Sequence, residues 1–375
     1  MLKKLFFFII LSLLYSCQTE QKKIKEHNLI VDATILAFEK KLLTLQIDSL
    51  LEKNHFNGSV AVFKNNELLY ERTKGFSDFK KHLKIDSSTV FAIGSISKQF
   101  TAVLLLLQVE QGKLSLTDKA SQYLSEFNTL GYENILIHQL LNHTSGLDLM
   151  GQKLRFKSGT NFFYSNDGFN AAGQIIEKVS GKSFVQNLND LFTKVGLHHT
   201  SAGYKSSPVN FAGAYVGNSK IQEAVKNMPY RLSQREIGLA AGGILSTIND
   251  LHLWNQQLYT GKIIQPQTLS KFIAHSSERE HAIFGKTGYG YGIMSNIFPP
   301  KAYFHSGYVK GSPSLNIYYP ETQTSVIILS NIADENLGIK HIFHTHREIK
   351  HNIDQLQNVV TELQKMKLKT SKNKN

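Results

Sequence analysis

Phe91-Ala-Ile-Gly-Ser95-Ile-Ser-Lys98-Gln-Phe-Thr-Ala-Val-Leu-Leu-Leu-Leu-Gln-Val-Glu-Gln111-Gly112 is the stretch that decides the fold. Residues 95–111 are apolar on nearly every side, and a helix of that kind must be buried on every side. It therefore runs through the middle of the molecule, and Gly112 stops it. A short strand-like Phe91-Ala-Ile93 and Gly94 lead into it, so Ser95 stands at the helix head, where free N–H groups and the dipole favour negative charge. Lys98 projects from the same face one turn later. Burial and the positive helix end lower a lysine pKa, which lets the amine take or relay a serine proton. Ser-x-x-Lys recurs at Ser77 with Lys80, in a polar loop, and at Ser371 with Lys374, in a charged tail. Only Ser95 heads a buried helix.

Working outward, residues 58–64 and 67–74 alternate about Asn65-Asn66, a tight-turn pair that predicts a β-hairpin. Ahead of it, Ile35, Leu36, Phe38, Leu42, Leu45 and Leu50 recur at helical spacing over residues 33–53. Helices dominate residues 114–235: Thr117-Asp118 is read as opening one, Asn166-Asp167 another that Gly181 closes, and a third ends at Gly196. Gly242-Gly243 leads to a capped helix over 247–258. Strand-like runs follow at 291–298, 302–305, 314–319 and 325–330, with turns at Pro299-Pro300 and Pro320-Glu321, then a last helix over 336–365. The class is α+β: an antiparallel sheet closed by N- and C-terminal segments, flanked by terminal helices, with an all-helical domain inserted. The boundaries expected are a discontinuous sheet domain at 33–112 and 236–365, and a helical domain at 113–235.

Two further constellations supply what acyl transfer through a serine needs. Tyr164-Ser-Asn166 lies on a loop running into a capped helix, and a tyrosine near a lysine ammonium can approach the phenolate and act as base toward Ser95. Asn166 offers its carbonyl to Lys98 and its nitrogen to a substrate amide. The other Tyr-x-Asn, at Tyr132 and Asn134, is less well placed. His305-Ser-Gly307 supplies a strand to wall the site.

With Leu140-Leu-Asn-His-Thr-Ser-Gly-Leu147 and Ala241-Gly-Gly-Ile-Leu-Ser-Thr247, these segments resemble the serine β-lactamase family. The nearest branch is the class C β-lactamases with their relatives, the D-alanyl-D-alanine carboxypeptidases, D-aminopeptidases and esterases. The resemblance covers residues 42–331, with the motifs in family order. It implies a β-lactamase/transpeptidase-like fold, a site in the cleft between sheet and helical domain, and an acyl-enzyme on Ser95. It also implies an oxyanion hole from the backbone N–H groups of Ser95 and Tyr308. On this reading Ser95, Lys98 and Tyr164 are catalytic, while Asn166, His305, Gly307 and Tyr308 bind substrate. Two departures matter. Ser158 stands where many members have proline, and the third motif opens with histidine, as among the family's peptidases and esterases. Lys286-Thr287-Gly288 matches the lysine form found in true β-lactamases, but the turn and strand pattern after Gly307 fits the family hairpin better, so we read it as a decoy. The expected substrate is an amide or ester: a D-amino peptide, a cell-wall peptide or a small ester. The alternatives are a true class C-like β-lactamase, and a non-catalytic module that keeps the fold and binds cell wall or a protein partner.

The chain begins Met-Leu-Lys-Lys, continues through apolar residues 5–14 and reaches Tyr15-Ser16-Cys17, the layout of an export signal. The run is shorter than the about 20 residues of a membrane span. Leu14-Tyr-Ser-Cys17 resembles a bacterial lipobox; an ordinary secretory signal with an incidental cysteine is the alternative. The expectation is a signal peptide at 1–16, a lipidated tether at 17–32 and a cell-envelope lipoprotein, periplasmic or anchored in the outer membrane, that meets the membrane through its lipid. A single cysteine rules out an intramolecular disulfide. Part of the net charge of +13 is concentrated in a basic tail over 366–375, read as disordered. No interleaved aromatic and basic patch argues for nucleic acid. His341, His344, His346 and His351 are read as an amphipathic helix rather than a zinc site, so neither metal nor cofactor is expected. No Gly-x-Ser-x-Gly elbow points to an α/β-hydrolase. Oligomeric state is left open.

Overall fold

Alternating side chains build the molecule around one sheet. The computed structural model describes residues 2–129, 131–203, 208–218, 220–226, 228, 232 and 237–367, with side chains from residue 19 onward. Among the described residues, eight strands pair antiparallel: β1 (Gly58–Lys64), β2 (Glu67–Lys74), β3 (Ser277–His281), β4 (Gly285–Tyr289), β5 (Met294–Asn296), β6 (Tyr303–Val309), β7 (Ser312–Tyr319) and β8 (Thr324–Ser330). Their spatial order is β3-β4-β5-β6-β7-β8-β1-β2. β1 and β8 pair from Gly58↔Ser330 to Lys64↔Thr324, so the two ends of the chain close one sheet. The β1–β2 turn holds Asn65 at φ 49° and Asn66 at φ 68°, the left-handed pair a two-residue hairpin requires.

The principal helices are α1 (Leu2–Lys53), α2 (Ser97–Glu110), α3 (Asn166–Ser180), α4 (Phe184–Val195), α5 (Ile248–Tyr259) and α6 (His344–Gln364). Every residue of β1, β7 and β8 is buried, because helices cover both faces. Val60, Val62, Leu315, Ile317, Val326 and Ile328 meet α1 and α6, while Ala61, Phe63, Ile327 and Leu329 meet the layer holding α2 and α5. α2 is buried on all sides from Ser97 to Leu106, between the sheet and α3. One apolar core continues from the sheet through α2 into α3 and α4, which fixes the base on which Ser95 sits.

Several elements differ from the sequence reading. Residues 2–53 form one helix rather than starting at 33, because neither glycine nor proline interrupts them. Thr117-Asp118 opens no α-helix. The Asp118 carboxylate accepts from the Ser115 N–H (2.7 Å) and the Tyr123 hydroxyl (2.6 Å), which holds a turn, and only the 3₁₀ turn Ala120–Gln122 follows. β3 and most of β4 lie where no strand was expected, since Ser-Glu-Arg-Glu-His is polar throughout and forms a sheet edge. The last helix is split into Ile339–Ile342 and α6. Residues 113–235 also lend short strands to the layer beneath Ser95: Ser201–Ala202 pairs with Ile244–Ser246, which pairs with Phe91–Ala92. No helix among the described residues is long and apolar enough to cross a membrane. The side chain of Cys17 and residues 368–375 of the expected tail lie outside the described residues.

Candidate active site

Two glycines bring the Ser95 turn against β6. Gly94 sits at φ +51°, and a Cβ there would fall 2.6 Å from the Tyr308 backbone nitrogen. A Cβ at Gly307 would fall 1.9 Å from the Ile93 carbonyl oxygen. Only glycine at both places lets the backbone of residues 93–95 lie flush with Tyr308. The turn Gly94–Ile96 is one of 3₁₀ helix, and Ser97 fastens it by donating to the Gly94 carbonyl (2.7 Å) while accepting from the Ile244 N–H (3.1 Å).

Lys98 is 0 % exposed. Its Nζ lies 3.1 Å from Ser95 Oγ, 2.8 Å from Asn166 Oδ1 and 2.7 Å from the Ala241 carbonyl oxygen. Burial, and next the Arg279 guanidinium, hold its pKa well below the usual lysine value. Asn166 Oδ1 and the Ala241 oxygen can only accept, so they take the two hydrogens of a neutral amine. The nitrogen lone pair is then left for the Ser95 hydroxyl proton.

Asn166 is free for this task because it is not the helix cap. Ser165 caps α3, its Oγ accepting from the Gly168 N–H at 2.9 Å, and Asn166 is the first helical residue. Tyr164 lies beside both basic groups: Lys98 Nζ is 4.8 Å from its ring centroid and the Arg279 guanidinium carbon 5.0 Å. The surroundings oppose the expected phenolate. Burial pushes the Tyr164 pKa up to about 12, and the hydrogen bond with Ser95 and the charge of Arg279 only partly oppose it. Tyr164 is therefore a proton donor at ordinary pH.

His305 belongs to a buried chain whose proton positions the backbone dictates. The Ser165 N–H donates to His143 Nδ1 (3.1 Å), so His143 carries its proton on Nε2 and donates to the Tyr289 hydroxyl (3.1 Å). The Tyr289 hydroxyl in turn donates to His305 Nε2 (2.9 Å), and His305 Nδ1–H donates to the Ser306 carbonyl (2.6 Å). Burial above all holds both histidines well below the usual histidine pKa, and the charge of Arg279 acts in the same direction, so both are neutral. His305 is thus engaged by Tyr289 rather than by Tyr164, whose ring centroid lies 6.3 Å away.

Lys286-Thr287-Gly288 lies on β4, separated from β6 by β5. Lys286 is exposed and pairs with Glu278 at 2.7 Å. The next residue along that strand, Tyr289, nevertheless reaches the site. The C-terminal histidines do not converge: His346 is buried against Phe56 and Phe343, whereas His341 and His351 are exposed. No cluster that could hold a metal ion occurs among the described residues.

Four participants escaped the sequence reading. Ala241 acts through its carbonyl, which carries no side-chain signal, and Tyr289 stands just after the Lys286-Thr287-Gly288 segment set aside as a decoy. His143 was quoted within the Leu140–Leu147 segment, but its place in the chain to His305 was not visible. Arg279 lies on an edge strand that was not foreseen, and nothing in its neighbours marks it.

Residues 44–344 match the family model described as Beta-lactamase. Penicillin-binding protein 4* of Bacillus subtilis (strain 168) is 28% identical over 337 residues, 79% of this chain and 73% of that protein. Teichoic acid D-alanine hydrolase of Staphylococcus aureus (strain MRSA252) is 29% identical over 332 residues, covering 80% and 76%. Among solved structures, a penicillin-binding protein from Bacillus halodurans shares the fold with a TM-score of 0.71 at 22% identity, over 83% of this chain and 99% of that one. A family match running from the helix that precedes the sheet to the head of α6 makes the chain a member of the beta-lactamase family of serine hydrolases.

Proposed function

We propose that this chain is an exported serine hydrolase that cleaves an amide or ester through an acyl-enzyme on Ser95. Ser95 Oγ attacks the substrate carbonyl carbon and its proton passes to Lys98 Nζ. The oxyanion that forms is held by the N–H groups of Ser95 and Tyr308, a pairing that the close approach of Gly94 to the Tyr308 nitrogen supports. When the carbon–leaving-group bond breaks, Tyr164 delivers the proton that the departing nitrogen or oxygen needs, and Lys98 restores it. Water then hydrolyses the acyl-enzyme by the same route in reverse. Asn166 keeps Lys98 aligned, and His305 and Gly307 shape the wall beside the substrate. The observation that carries the reading is Lys98: buried, with no carboxylate partner among the described residues, and with both hydrogens of its neutral amine committed to oxygens that cannot donate.

The substrate class is a D-amino acyl amide or ester of the cell envelope. The names of the two relatives, a penicillin-binding protein and a teichoic acid D-alanine hydrolase, support that choice. The neutral histidine on β6, where true β-lactamases carry lysine, favours it over antibiotic hydrolysis. Cys17 is proposed as the lipid-bearing residue of the mature protein; fractionation of wild type and Cys17→Ala tests this, and equal solubility of the two overturns it. For the reaction, a fluorophosphonate probe followed by peptide mapping should place the adduct on Ser95. An adduct on Ser77, or undiminished turnover in Ser95→Ala, contradicts the mechanism.

A further inference from the structure

Arg279 is a cation beside Tyr164 with no counterion among the described residues. Its guanidinium carbon lies over two aromatic rings, 5.0 Å from the Tyr164 centroid and 5.4 Å from that of Phe162. Among the described residues it forms no ion pair, and its buried Nε has no hydrogen-bond partner. The carboxylates nearest in sequence are turned away by strand alternation: Glu278 and Glu280 are exposed, and Glu278 is occupied by Lys286 (2.7 Å) and His275 (3.3 Å). The charge of Arg279 is felt by Lys98, Tyr164, His143 and His305, and no carboxylate among the described residues acts on any of the four. A largely buried guanidinium without an anion is costly, and its planar fork of donors matches an oxyanion two bonds at a time.

We propose that Arg279 is the specificity residue of this site, receiving an oxyanion that the substrate carries close to the scissile carbonyl. The inference rests on the acyl-transfer reading above and names the substrate class more narrowly. Two sources share the required chemistry: the free carboxylate of a D-amino acid leaving group, and the phosphodiester of a polyanion esterified with a D-amino acid. Both fill the same place, flanked by Tyr164 and within the field that also acts on Lys98. The bond chemistry at Ser95 is unchanged; what Arg279 adds is a preference for substrates that bring their own counterion.

The test compares matched substrates on the purified chain: an N-acyl-D-alanyl-D-alanine against its C-terminal amide, and D-alanyl glycerol phosphate against D-alanyl glycerol. Wild type should favour the charged member of at least one pair in kcat/KM. Which pair does so identifies the source of the anion. In Arg279→Gln the charged-to-neutral ratio for that pair should fall on the order of 10²-fold, the loss expected when one partner of a desolvated charge pair is removed. Arg279→Lys should retain part of the ratio. Labelling of Ser95 by an uncharged fluorophosphonate reports separately that each variant is folded and competent. Equal kcat/KM for charged and neutral members in wild type, or a ratio unmoved in a labelled Arg279→Gln, overturns the proposal. Failure of wild type to label at Ser95 overturns the acyl-transfer reading instead.

Discussion

Two buried lysines show how one residue type serves chemistry in one place and architecture in another. Lys98 and Lys350 are both withdrawn from water, at 0 % and 5 % exposure, and burial lowers the pKa of each. Lys350 has a carboxylate: its Nζ lies 2.6 Å from Asp354 and 2.8 Å from Asn296, and Asp354 pulls its pKa back up. That pair fastens α6 to β5 and keeps the ammonium charged. Lys98 has only amide oxygens and a hydroxyl, with a second cation, Arg279, nearby. The absence of a carboxylate is what turns a buried lysine from a fastening into a base.

The sharpest way to break the comparison is to delete each amine. Lys98→Met should lower kcat for ester hydrolysis roughly 10²–10⁴-fold, the range for loss of a positioned acid–base group. Its urea midpoint should stay the same or rise, since an apolar side chain of similar length replaces a fully buried amine. Lys350→Met should do the opposite. Turnover stays near wild type, and stability falls by about 1–3 kcal/mol, tempered because Asp354 is partly exposed and water can reach it. Equal losses of activity in the two variants would erase the distinction.

His305→Ala should follow, depressing turnover about 10²–10³-fold with little loss of fold, because the wall beside the oxyanion is gone. Tyr289→Phe is the milder cut through the same chain. It strands the Nε2–H of His143 and the Nε2 of His305, costs about 1–3 kcal/mol in denaturant stability, and loosens His305 enough to slow turnover by about tenfold.

pH reads the difference between the lysines directly. Lys98 has a folded pKa far below its unfolded value of 10.5, so the unfolded chain binds the extra proton between those limits. Stability from this group therefore rises with pH across that window, and Lys98→Met should flatten the rise. Turnover should rise as Lys98 loses its proton and then stay level, with no alkaline decline until Tyr164 ionises near about 12. The smallest effect belongs to a third lysine. Lys286 is exposed and paired with Glu278, so Lys286→Ala should leave both the urea midpoint and the rate near wild type.

The sequence made the backbone of this account legible where local signals and burial agree. Asn65-Asn66 sets the hairpin because its left-handed pair is a local requirement, and residues 95–111 announce their burial because no polar face exists to meet water. Ser95, Lys98 and Asn166 do come together, over distances of 2.8 and 3.1 Å at Lys98 Nζ. What was not legible depends on neighbours from afar. Burial reversed the expected direction of the Tyr164 pKa. Ser165 rather than Asn166 caps α3, a choice between adjacent polar residues that only the fold decides. Thr117-Asp118 looked like a helix start, yet Asp118 spends its carboxylate on Ser115 and Tyr123. Arg279 was hidden because an edge strand of polar residues has no apolar rhythm to reveal it.

The central claim is that Lys98 works as a neutral amine. The most direct test is the second-order rate of Ser95 acylation by an uncharged fluorophosphonate, followed by intact-protein mass across pH in wild type and Lys98→Met. The account predicts a wild-type rate that climbs through a single ionisation well below 10.5 and is already at its plateau in mildly alkaline buffer, with the limb absent and the rate collapsed in Lys98→Met. A wild-type rate still rising toward 10.5, or one that Lys98→Met leaves unchanged, would contradict it.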